Sequence, residues 1–208
     1  MRPEIIVVGA GGHAKVCIEL LQIMGEKVAY CVGAMDGPKQ CLGVPVLRGD
    51  ENLKILRSAG YSKVFVALGS NRLRERLSDL CVGQGYNLVS AVSRHAVVSP
   101  SATLGSGVAV MAGAVINAGS VIGDLAIINT GAVVDHDCRI GRAVHIAPQC
   151  GVAGNVTVGN QSFLGVGCKV IPEINIGERV IVGAGGVVIC DIESNTTAIG
   201  VPARVFHK

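Results

Sequence analysis

The sequence predicts two folds in one chain: an α/β unit with a parallel sheet over residues 1–91, then an all-β coil of short parallel strands over residues 92–208. Three observations predict this division. Strand-like and helix-like stretches alternate in the first part. In the second part, branched aliphatic residues recur every six residues and glycine recurs every eighteen.

The stretches of the first part can be assigned one by one. Strand followed by helix, repeated, is typical of a parallel sheet with helices packed on it. In the first helix the apolar Val16, Leu20 and Ile23 share one face, as expected of a helix that packs on a sheet. The predicted strands are Ile5–Gly9, Lys27–Val32, Lys63–Leu68 and Asn87–Val92, and the predicted helices are His13–Met24, Asn52–Ala59 and Asn71–Val82.

The second part is an unbroken six-residue repeat. Every sixth residue from Val98 to Val188 is a branched aliphatic, and the residue four places after each is small or β-branched. Glycine recurs at intervals of eighteen from Gly105 to Gly177, so three hexads make one turn of a triangular coil with glycine at one corner. The aliphatic column fills the interior, and neighbouring turns stabilise one another as in other solenoids.

Composition limits the possible functions. The chain has 208 residues, of which 50% are hydrophobic and 3% aromatic, so Val, Ile, Leu and Ala must fill the core. A net charge of +3, without a basic stripe interleaved with aromatics, argues against a nucleic-acid partner. No apolar run approaches membrane-spanning length, and the first residues do not form a signal peptide. We therefore expect a cytoplasmic protein with neither nucleic-acid nor membrane partners.

The cysteines are expected to be reduced, buried and small packing residues. None of the eight forms a C-x-x-C or another zinc-binding spacing, and three fall in the small-residue column of the coil. No metal site is predicted. The cysteines are Cys17, Cys31, Cys41, Cys81, Cys138, Cys150, Cys168 and Cys190.

A glycine-rich loop at Gly9–Ala14 follows the first strand and opens the first helix. It fits the G-x-G-x-x-[G/A] pattern, in which backbone amides at a helix start hold a phosphate. A dinucleotide site also needs an acidic residue at the end of the second strand, where Val32 and Gly33 stand. The loop therefore favours a nucleotide-linked sugar, with its diphosphate near Gly11 and Gly12, over NAD.

Three successive ionisable residues, Asp135, His136 and Asp137, interrupt the apolar repeat. The narrow interior cannot hold charge, so they should project outward. We expect His136 to act as a general base and Asp137 to orient it. Gly154 lies eighteen residues beyond His136 and should stack on it, whereas His145 lies nine residues beyond, half a coil away, on a different side.

These motifs make the chain similar to the hexapeptide-repeat acyltransferases. More narrowly, it resembles sugar acetyltransferases that carry a Rossmann-like domain before a left-handed parallel β-helix, such as the perosamine and bacillosamine-precursor N-acetyltransferases and the sialic acid O-acetyltransferases. The resemblance runs from Gly9–Lys15 to Ile199–Arg204. It implies a homotrimer with active sites between subunits. It also implies acetyl-CoA as co-substrate and a GDP- or UDP-linked 4-amino-6-deoxy sugar as acceptor, in surface polysaccharide or glycan biosynthesis.

The resemblance also implies roles for individual residues. It places the Gly154 N–H at the developing oxyanion and His145 near the thioester, and it makes the loop at residues 69–72 a second ligand-facing segment. The implied substrate contacts are Gly9, Gly11, Gly12, His13, Lys15, Gly69, Asn71, Arg72, Asn129 and Asp135. The implied acetyl-CoA contacts are His145, Gly154, Gly165, Val166, Gly183, Ala184, Pro202 and Arg204. No role is expected for His95 or His207.

Several readings remain open on the residues alone. Ser70 or Asn71 can simply cap a helix, and Arg204 can simply be solvated. A zinc carbonic anhydrase needs three protein ligands, and the repeat offers two histidines. A sugar-nucleotide sensor would bind the nucleotide without consuming acetyl-CoA. O-acetylation of a sialic acid or another sugar uses the same residue types, and only the resemblance favours the amine.

Overall fold

The computed structural model describes residues 2–206 and divides into two compact units, one through Ala91 and one from Val92. His207, for which no role is expected, lies outside the described residues. Within residues 2–206, no helix has both the length and the apolar character needed to cross a membrane.

The first unit is an α/β fold around a six-stranded sheet. Its strand order is β3-β4-β2-β1-β5-β6. Every pair is parallel except β3 with β4, so the predicted parallel sheet is confirmed, and an antiparallel edge that was not predicted is added to it. The elements are β1 (Arg2–Val8), α1 (Gly12–Ile23), β2 (Val28–Gly33), β3 (Gln40–Cys41), β4 (Val44–Arg48), α2 (Glu51–Ser58), β5 (Tyr61–Val66), α3 (Asn71–Gly83) and β6 (Asn87–Leu88).

The structure corrects three details of the first unit. The β3–β4 pair was not predicted, because β3 has only two residues and Pro45 interrupts the apolar run of β4. The predicted strand Asn87–Val92 is two strands, β6 and β7 (Ala91–Val92). The face of α1 that carries Val16 and Ile23 is not the buried face, since these side chains are 48% and 55% exposed. The residues of α1 that pack inside are Ala14, Cys17, Ile18, Leu20 and Leu21.

The second unit is a left-handed parallel β-helix, as predicted. Its short strands form three stacked sheets, in which each strand pairs in parallel with the strand one turn later, except for an antiparallel pair at the C-terminal end of the third sheet. The first sheet contains β8 (Val97–Val98), β11 (Val115–Ile116), β14 (Val133–Val134), β17 (Gly151–Val152), β20 (Lys169–Val170) and β23 (Val187–Val188). The second contains β9 (Thr103–Leu104), β12 (Val121–Ile122), β15 (Arg139–Ile140), β18 (Thr157–Val158) and β21 (Asn175–Ile176). The third contains β10 (Ala109–Val110), β13 (Ile127–Ile128), β16 (His145–Ile146), β19 (Phe163–Leu164), β22 (Ile181–Val182), β24 (Thr197–Ile199) and β25 (Arg204–Val205).

The aliphatic column forms the core of this β-helix. From Val110 to Val188 every sixth residue is buried, and the small-residue column packs beside it. Cys138, Cys150 and Cys168 are buried within that column, which confirms their packing role. All eight cysteines are free, but Cys190 is exposed, so the prediction of burial was wrong there. Cys190 follows Val188, where the six-residue register ends.

The glycines at eighteen-residue spacing are needed for close stacking. A Cβ on Gly159 would lie 2.5 Å from the carbonyl carbon of Gly177 in the next turn, and one on Gly123 would lie 2.8 Å from that of Gly141. The left-handed backbone of each corner lies two residues further along. There it is adopted by glycines and also by Leu125, Asp137, Ala143, Gln149, Asn155, Gln161, Glu173 and Arg179.

Gly159→Ala should destabilise the β-helix by about 1–3 kcal/mol, because the added methyl group meets backbone that cannot move without disturbing the next turn. Urea denaturation followed by circular dichroism measures this loss. Gly151→Ala is the matched control, since its methyl group would meet only the flexible Lys169 side chain at 3.2 Å. Equal stability of the two variants would contradict the stacking argument.

Candidate active site

The corner after β14 holds an exposed histidine–carboxylate pair. His136 Nδ1 lies 2.9 Å from Asp137 Oδ2, and both side chains face solvent. A carboxylate only accepts hydrogen bonds, so Nδ1 carries the proton and Nε2 keeps a free lone pair. The left-handed backbone at Asp137 (φ 59°) forms the corner from which its carboxylate reaches the preceding ring. The sequence therefore predicted correctly that these charged residues project outward.

The surroundings of His136 strengthen it as a base. The hydrogen bond to Asp137 is the largest effect and raises the pKa of His136; desolvation, the next largest, lowers it, and the negative charges of Asp135 and Asp137 raise it further. A higher pKa strengthens the proton affinity of Nε2. Such a base must be deprotonated before it can accept a proton, so its activity should rise with pH through that pKa.

Gly154 stacks directly on His136, as the eighteen-residue spacing predicts. The Asn155 N–H donates to the His136 carbonyl oxygen at 3.0 Å, and a Cβ on Gly154 would lie 2.5 Å from the imidazole Nε2. Only glycine leaves room for this position of the ring. Within residues 2–206 the Gly154 N–H has no hydrogen-bond acceptor.

Asp135 stabilises the corner that carries His136 through hydrogen bonds within the chain. Its Oδ1 accepts hydrogen bonds from Asn117 Nδ2 and from the His136 backbone N–H, both at 2.8 Å. The Asn117 bond, followed by the His136 bond, lowers the pKa of Asp135 and keeps it charged. Ser120 Oγ donates to the Asp135 carbonyl oxygen at 2.6 Å. Asn117 was not predicted, although it lies eighteen residues before Asp135.

His145 and Asn129 form a second pair on a different face. Asn129 Nδ2 donates to His145 Nε2 at 3.0 Å, and the imidazole packs edge-on against Phe163 with ring centroids 5.2 Å apart. His145 is buried, and its strand β16 belongs to the third sheet. Within one chain the structure therefore brings Asn129 to His145. Both lie at the third sheet, whereas the strand that precedes His136 belongs to the first sheet.

The predicted acetyl-CoA residues follow the same edge. Gly165 and Gly183 directly follow strands β19 and β22 of the third sheet, in the eighteen-residue column that contains Asn129. A Cβ on Gly165 would lie 2.7 Å from the Ala184 nitrogen, so this glycine is already required by stacking. The next residue at each corner, Val166 or Ala184, is exposed. We name this line of corners, with His145, the third-sheet edge.

The two C-terminal residues of the predicted acetyl-CoA site are both exposed. Pro202 lies in the turn between β24 and β25. Arg204 begins β25, and its Nη1 donates to the Ala203 carbonyl oxygen at 2.9 Å. Their side chains are accessible to a ligand.

The glycine loop of the first unit joins β1 to α1. Gly9 has a φ of 120°, and a Cβ there would lie 2.7 Å from the Ala67 carbonyl oxygen, so only glycine fits. Gly11 and Gly12 are exposed, and a Cβ on either would meet nothing within 4 Å. Gly11 is the N-cap of α1 and has no side chain to cover the helix amides. The space in front of these amides suits an anionic group.

His13 and Lys15 lie in the first turn of α1 with different environments. Lys15 is exposed. Burial, and then the charge of Arg74, lower the pKa of His13 to about 4, so its imidazole is neutral at physiological pH. His13 Nε2 lies 3.5 Å from Cys17 Sγ. His13 can therefore offer a ligand a neutral imidazole and not a cation.

A cavity of about 590 Å³ opens beside the glycine loop. Gly9 and Gly11 line it, whereas the other predicted substrate residues of this unit do not. Its further walls come from the segment after β2, from the start of α2 and from α3. The residues contributed by these segments, which sequence reasoning missed, include Met35, Pro38, Asp50, Glu51, Leu73 and Arg76.

The segment after β5 is the second predicted ligand loop. The Leu73 N–H donates to Ser70 Oγ at 3.5 Å, so Ser70 is the N-cap of α3, one of the two caps that the sequence left open. Gly69 and Arg72 are exposed, and a Cβ on Gly69 would meet nothing within 4 Å. Asn71 Oδ1 accepts a hydrogen bond at 2.9 Å from the buried Arg74.

Two other sequence expectations concern ligands. Among residues 2–206, no group of three or more His, Cys, Asp or Glu side chains is placed to hold a metal ion. His95, for which no role was expected, lies on the surface beside Arg94, whose Nε donates to His95 Nε2 at 3.3 Å.

Comparison with known proteins identifies relatives along the whole chain. The model of the PglD N-terminal domain family matches residues 4–80. The structure of PerB from Caulobacter crescentus in complex with CoA and GDP-perosamine is 54% identical, with a TM-score of 0.95, and the match covers 98% of this chain and 97% of that one. Similar matches include histidine mutants of perosamine N-acetyltransferase from the same organism.

Two further solved structures match over nearly their full lengths. The acetyltransferase domain of PglB from Neisseria gonorrhoeae FA1090, in complex with acetyl coenzyme A, is 37% identical with a TM-score of 0.91, covering 99% of this chain and 100% of that one. WeeI from Acinetobacter baumannii AYE is 25% identical with a TM-score of 0.87, covering 98% and 99%.

Asp137→Asn should lower the pKa of His136 toward its ordinary value, because the change removes the carboxylate that holds the protonated imidazole. Titration of the imidazole resonances by NMR measures this shift. Asp124→Asn is the matched control: that carboxylate contacts Arg142 at 3.3 Å, at another corner of the β-helix, and its loss should leave His136 unaffected. An unchanged His136 pKa in Asp137→Asn would refute the coupling.

Proposed function

The chain belongs to the hexapeptide-repeat, CoA-dependent N-acetyltransferases of amino sugars, and we propose that it acetylates the amino group of a GDP-linked 4-amino-6-deoxy sugar. The observation that carries the proposal is the exposed His136–Asp137 pair stacked on Gly154. The 54% identity to an enzyme crystallised with GDP-perosamine favours that sugar over a UDP-linked one. GDP-perosamine is the substrate we expect.

The chemistry follows from the tautomer of His136. Asp137 holds the proton on Nδ1, so Nε2 is the atom that takes a proton from the attacking amine. As the amine nitrogen bonds to the acetyl carbonyl carbon, the carbon–sulfur bond breaks. The proton then passes from Nε2 to the departing thiolate, which leaves as CoA thiol. The products are the N-acetylated sugar nucleotide and CoA, and His136 returns to its starting state.

Gly154 supplies the second catalytic element. During attack, negative charge develops on the acetyl oxygen, and a backbone N–H can stabilise it without moving. The Gly154 N–H lies beside the His136 ring and has no acceptor within residues 2–206. The base and the charge-stabilising donor therefore lie together in stacked corners of successive turns.

The first unit binds the nucleotide in this proposal, within residues 1–91. The diphosphate lies at Gly11 and Gly12, in front of the amides that open α1, where negative charge is favoured. Gly9, Lys15, His13 and the loop at residues 69–72 complete the contacts. The cavity of about 590 Å³ beside the loop accommodates the nucleoside. Asp135 and Asn129 contact the sugar.

The second unit binds acetyl-CoA and performs the reaction, within residues 92–208. Exposed Val166 and Ala184 follow Gly165 and Gly183 at successive corners of the third-sheet edge, so no bulky side chain at these corners obstructs an extended pantetheine arm. His145 contacts the thioester region, while Pro202 and Arg204 meet the nucleotide end. Arg204 offers a guanidinium to a CoA phosphate.

The active enzyme is a homotrimer whose sites lie between subunits. In one chain the strand before His136 belongs to the first sheet, and the strands before Gly165 and Gly183 belong to the third, so the base and these two glycines occupy different corners. A neighbouring copy can bring the third-sheet edge to the base. Val97 and Val133, which point outward from the first sheet and are exposed, provide apolar surface for such contact.

The reaction is placed in the cytoplasm, in the synthesis of a surface polysaccharide such as O-antigen. Eight free cysteines fit a reducing compartment. An N-acetylated sugar linked to a nucleotide diphosphate is an activated donor, so the product would be consumed by a glycosyltransferase.

GDP-perosamine and acetyl-CoA should be converted to CoA thiol and a product heavier by one acetyl group, and His136→Asn should lower kcat/KM by about 10²–10⁴-fold. The Asn side chain cannot accept the proton, while the acetyl-CoA contacts remain. Thiol release, mass spectrometry of the product and acetyl-CoA titration measure the three quantities.

His95→Asn is the matched control and should turn over like wild type, because this histidine lies outside the proposed site. UDP-linked 4-amino sugars and a sialic acid are the comparison acceptors. Faster turnover of either than of GDP-perosamine would refute the proposed substrate. Undiminished turnover by His136→Asn would remove it from the base role.

Sedimentation equilibrium should give three times the chain mass of 21.3 kDa, because each base needs the third-sheet edge of a neighbouring copy and the proposed ring of three copies completes every site. Dilution until the oligomer dissociates should abolish turnover. A monomer with full activity would contradict the proposed assembly.

A further inference from the structure

Arg74 is the most deeply buried cation among the described residues. Only 1% of its surface is exposed, although it lies in the first turns of α3, next to exposed neighbours. Burial lowers its pKa to about 10, so it still carries its charge at physiological pH. A buried guanidinium loses its hydration, and such a position is stable only if the fork makes good hydrogen bonds.

The guanidinium donates hydrogen bonds to the loop that follows β5 and to the first residue of α3. Nη1 donates to the carbonyl oxygens of Leu68 at 2.9 Å and Gly69 at 3.3 Å. Nη2 donates to Asn71 Oδ1 at 2.9 Å. The planar guanidinium thus binds three acceptors of this segment, two backbone carbonyl oxygens and the side chain of Asn71.

The same cation also acts on the other ligand loop. Its charge contributes to the lowered pKa of His13 in the first turn of α1, after burial of the imidazole. It also acts on Cys17, where burial outweighs the charge and raises the thiol pKa to about 12. Cys17 Sγ lies 3.5 Å from His13 Nε2, so a neutral thiol and a neutral imidazole lie within the field of Arg74.

The strand order explains how one residue reaches both loops. β1 and β5 are neighbours in the sheet and run in parallel, so the loops that follow them leave the same edge side by side. Contact between the loops is close, since a Cβ on Gly9 would lie 3.2 Å from Leu68 Cδ2. α3 starts from the second loop, and its buried face carries Arg74 inward, against that loop and near enough to the first turn of α1 for its charge to act on His13.

We propose that Arg74 is a positioning residue for nucleotide binding: its hydrogen bonds hold the loop at residues 68–71 in shape, and its buried charge adds to the positive potential near the first turn of α1, without touching the ligand. This inference rests on the nucleotide-binding role proposed above for the two loops. The hydrogen bonds of the guanidinium hold the loop, whereas its charge acts on His13, so the two effects can be separated by substitution.

Arg74→Lys and Arg74→Met separate them. Loss of the charge-assisted hydrogen bonds should raise the Kd for GDP and the KM for GDP-perosamine by about tenfold or more in both variants. Saturating kcat and the KM for acetyl-CoA should stay within about twofold of wild type, since the catalytic corner lies in the other unit. The His13 pKa, followed by NMR, should rise in Arg74→Met and stay low in Arg74→Lys, which keeps the charge.

Arg57→Met is the matched control. Arg57 also donates to a backbone carbonyl, that of Gly85 at 3.0 Å, but its partner is the turn after α3, and its loss should leave GDP binding unchanged. Thermal denaturation establishes whether each variant is folded. If Arg74→Met does not fold, Arg74→Lys alone tests the effect on GDP binding. A folded Arg74 variant with wild-type affinity for GDP would overturn the inference.

Two readouts keep this inference separate from the proposed function. GDP binding by calorimetry needs no turnover, so it tests Arg74 even if GDP-perosamine is not the acceptor. Absence of wild-type turnover with normal GDP binding would contradict only the proposed acceptor. If wild-type turnover is normal but the Arg74 variants lose stability throughout the first unit without a selective loss of GDP affinity, only the role of Arg74 is contradicted.

Discussion

The inward column of branched aliphatic residues is the constraint on which the catalytic unit depends. Every sixth residue from Val110 to Val188 is buried, so each corner between successive buried residues has a fixed position on the β-helix. The corner of His136 is therefore stacked on that of Gly154, one turn later. A chemical arrangement that most enzymes assemble from distant segments is set here by the period of the core.

This dependence explains how much of the site the sequence could predict. Residues eighteen apart lie in contact on successive turns, so the stacking of His136 on Gly154 followed from spacing. The outward position of Asp137 followed from its charge, which the narrow apolar interior cannot hold. Glycine, in contrast, was an incomplete guide to the corners. It marks where successive turns approach closely, whereas the left-handed positions accept residues as different as Leu125 and Arg179. Residue type carries little signal there, because the stacked neighbours impose the backbone conformation.

The α/β unit was less predictable because its contacts are not periodic. Strand and helix order followed from the pattern, but the buried face of α1 did not, since the sheet and not the helix decides which side is covered. Arg74 shares the buried face of α3 with Leu77 and Cys81, and a charge at that helical spacing was a usable signal. The walls of the cavity come from short, irregular segments, which local patterns describe poorly.

Base and orienting carboxylate are adjacent in the chain, and the residue that lets the backbone turn is the one that supplies the carboxylate. Aspartate tolerates the left-handed conformation better than most residues, so one position meets both a geometric and a chemical demand. Insertion or deletion of an entire turn elsewhere in the β-helix would leave His136, Asp137 and the turn stacked on them intact. Such enzymes are therefore free to vary in height during evolution while keeping the same reactive centre.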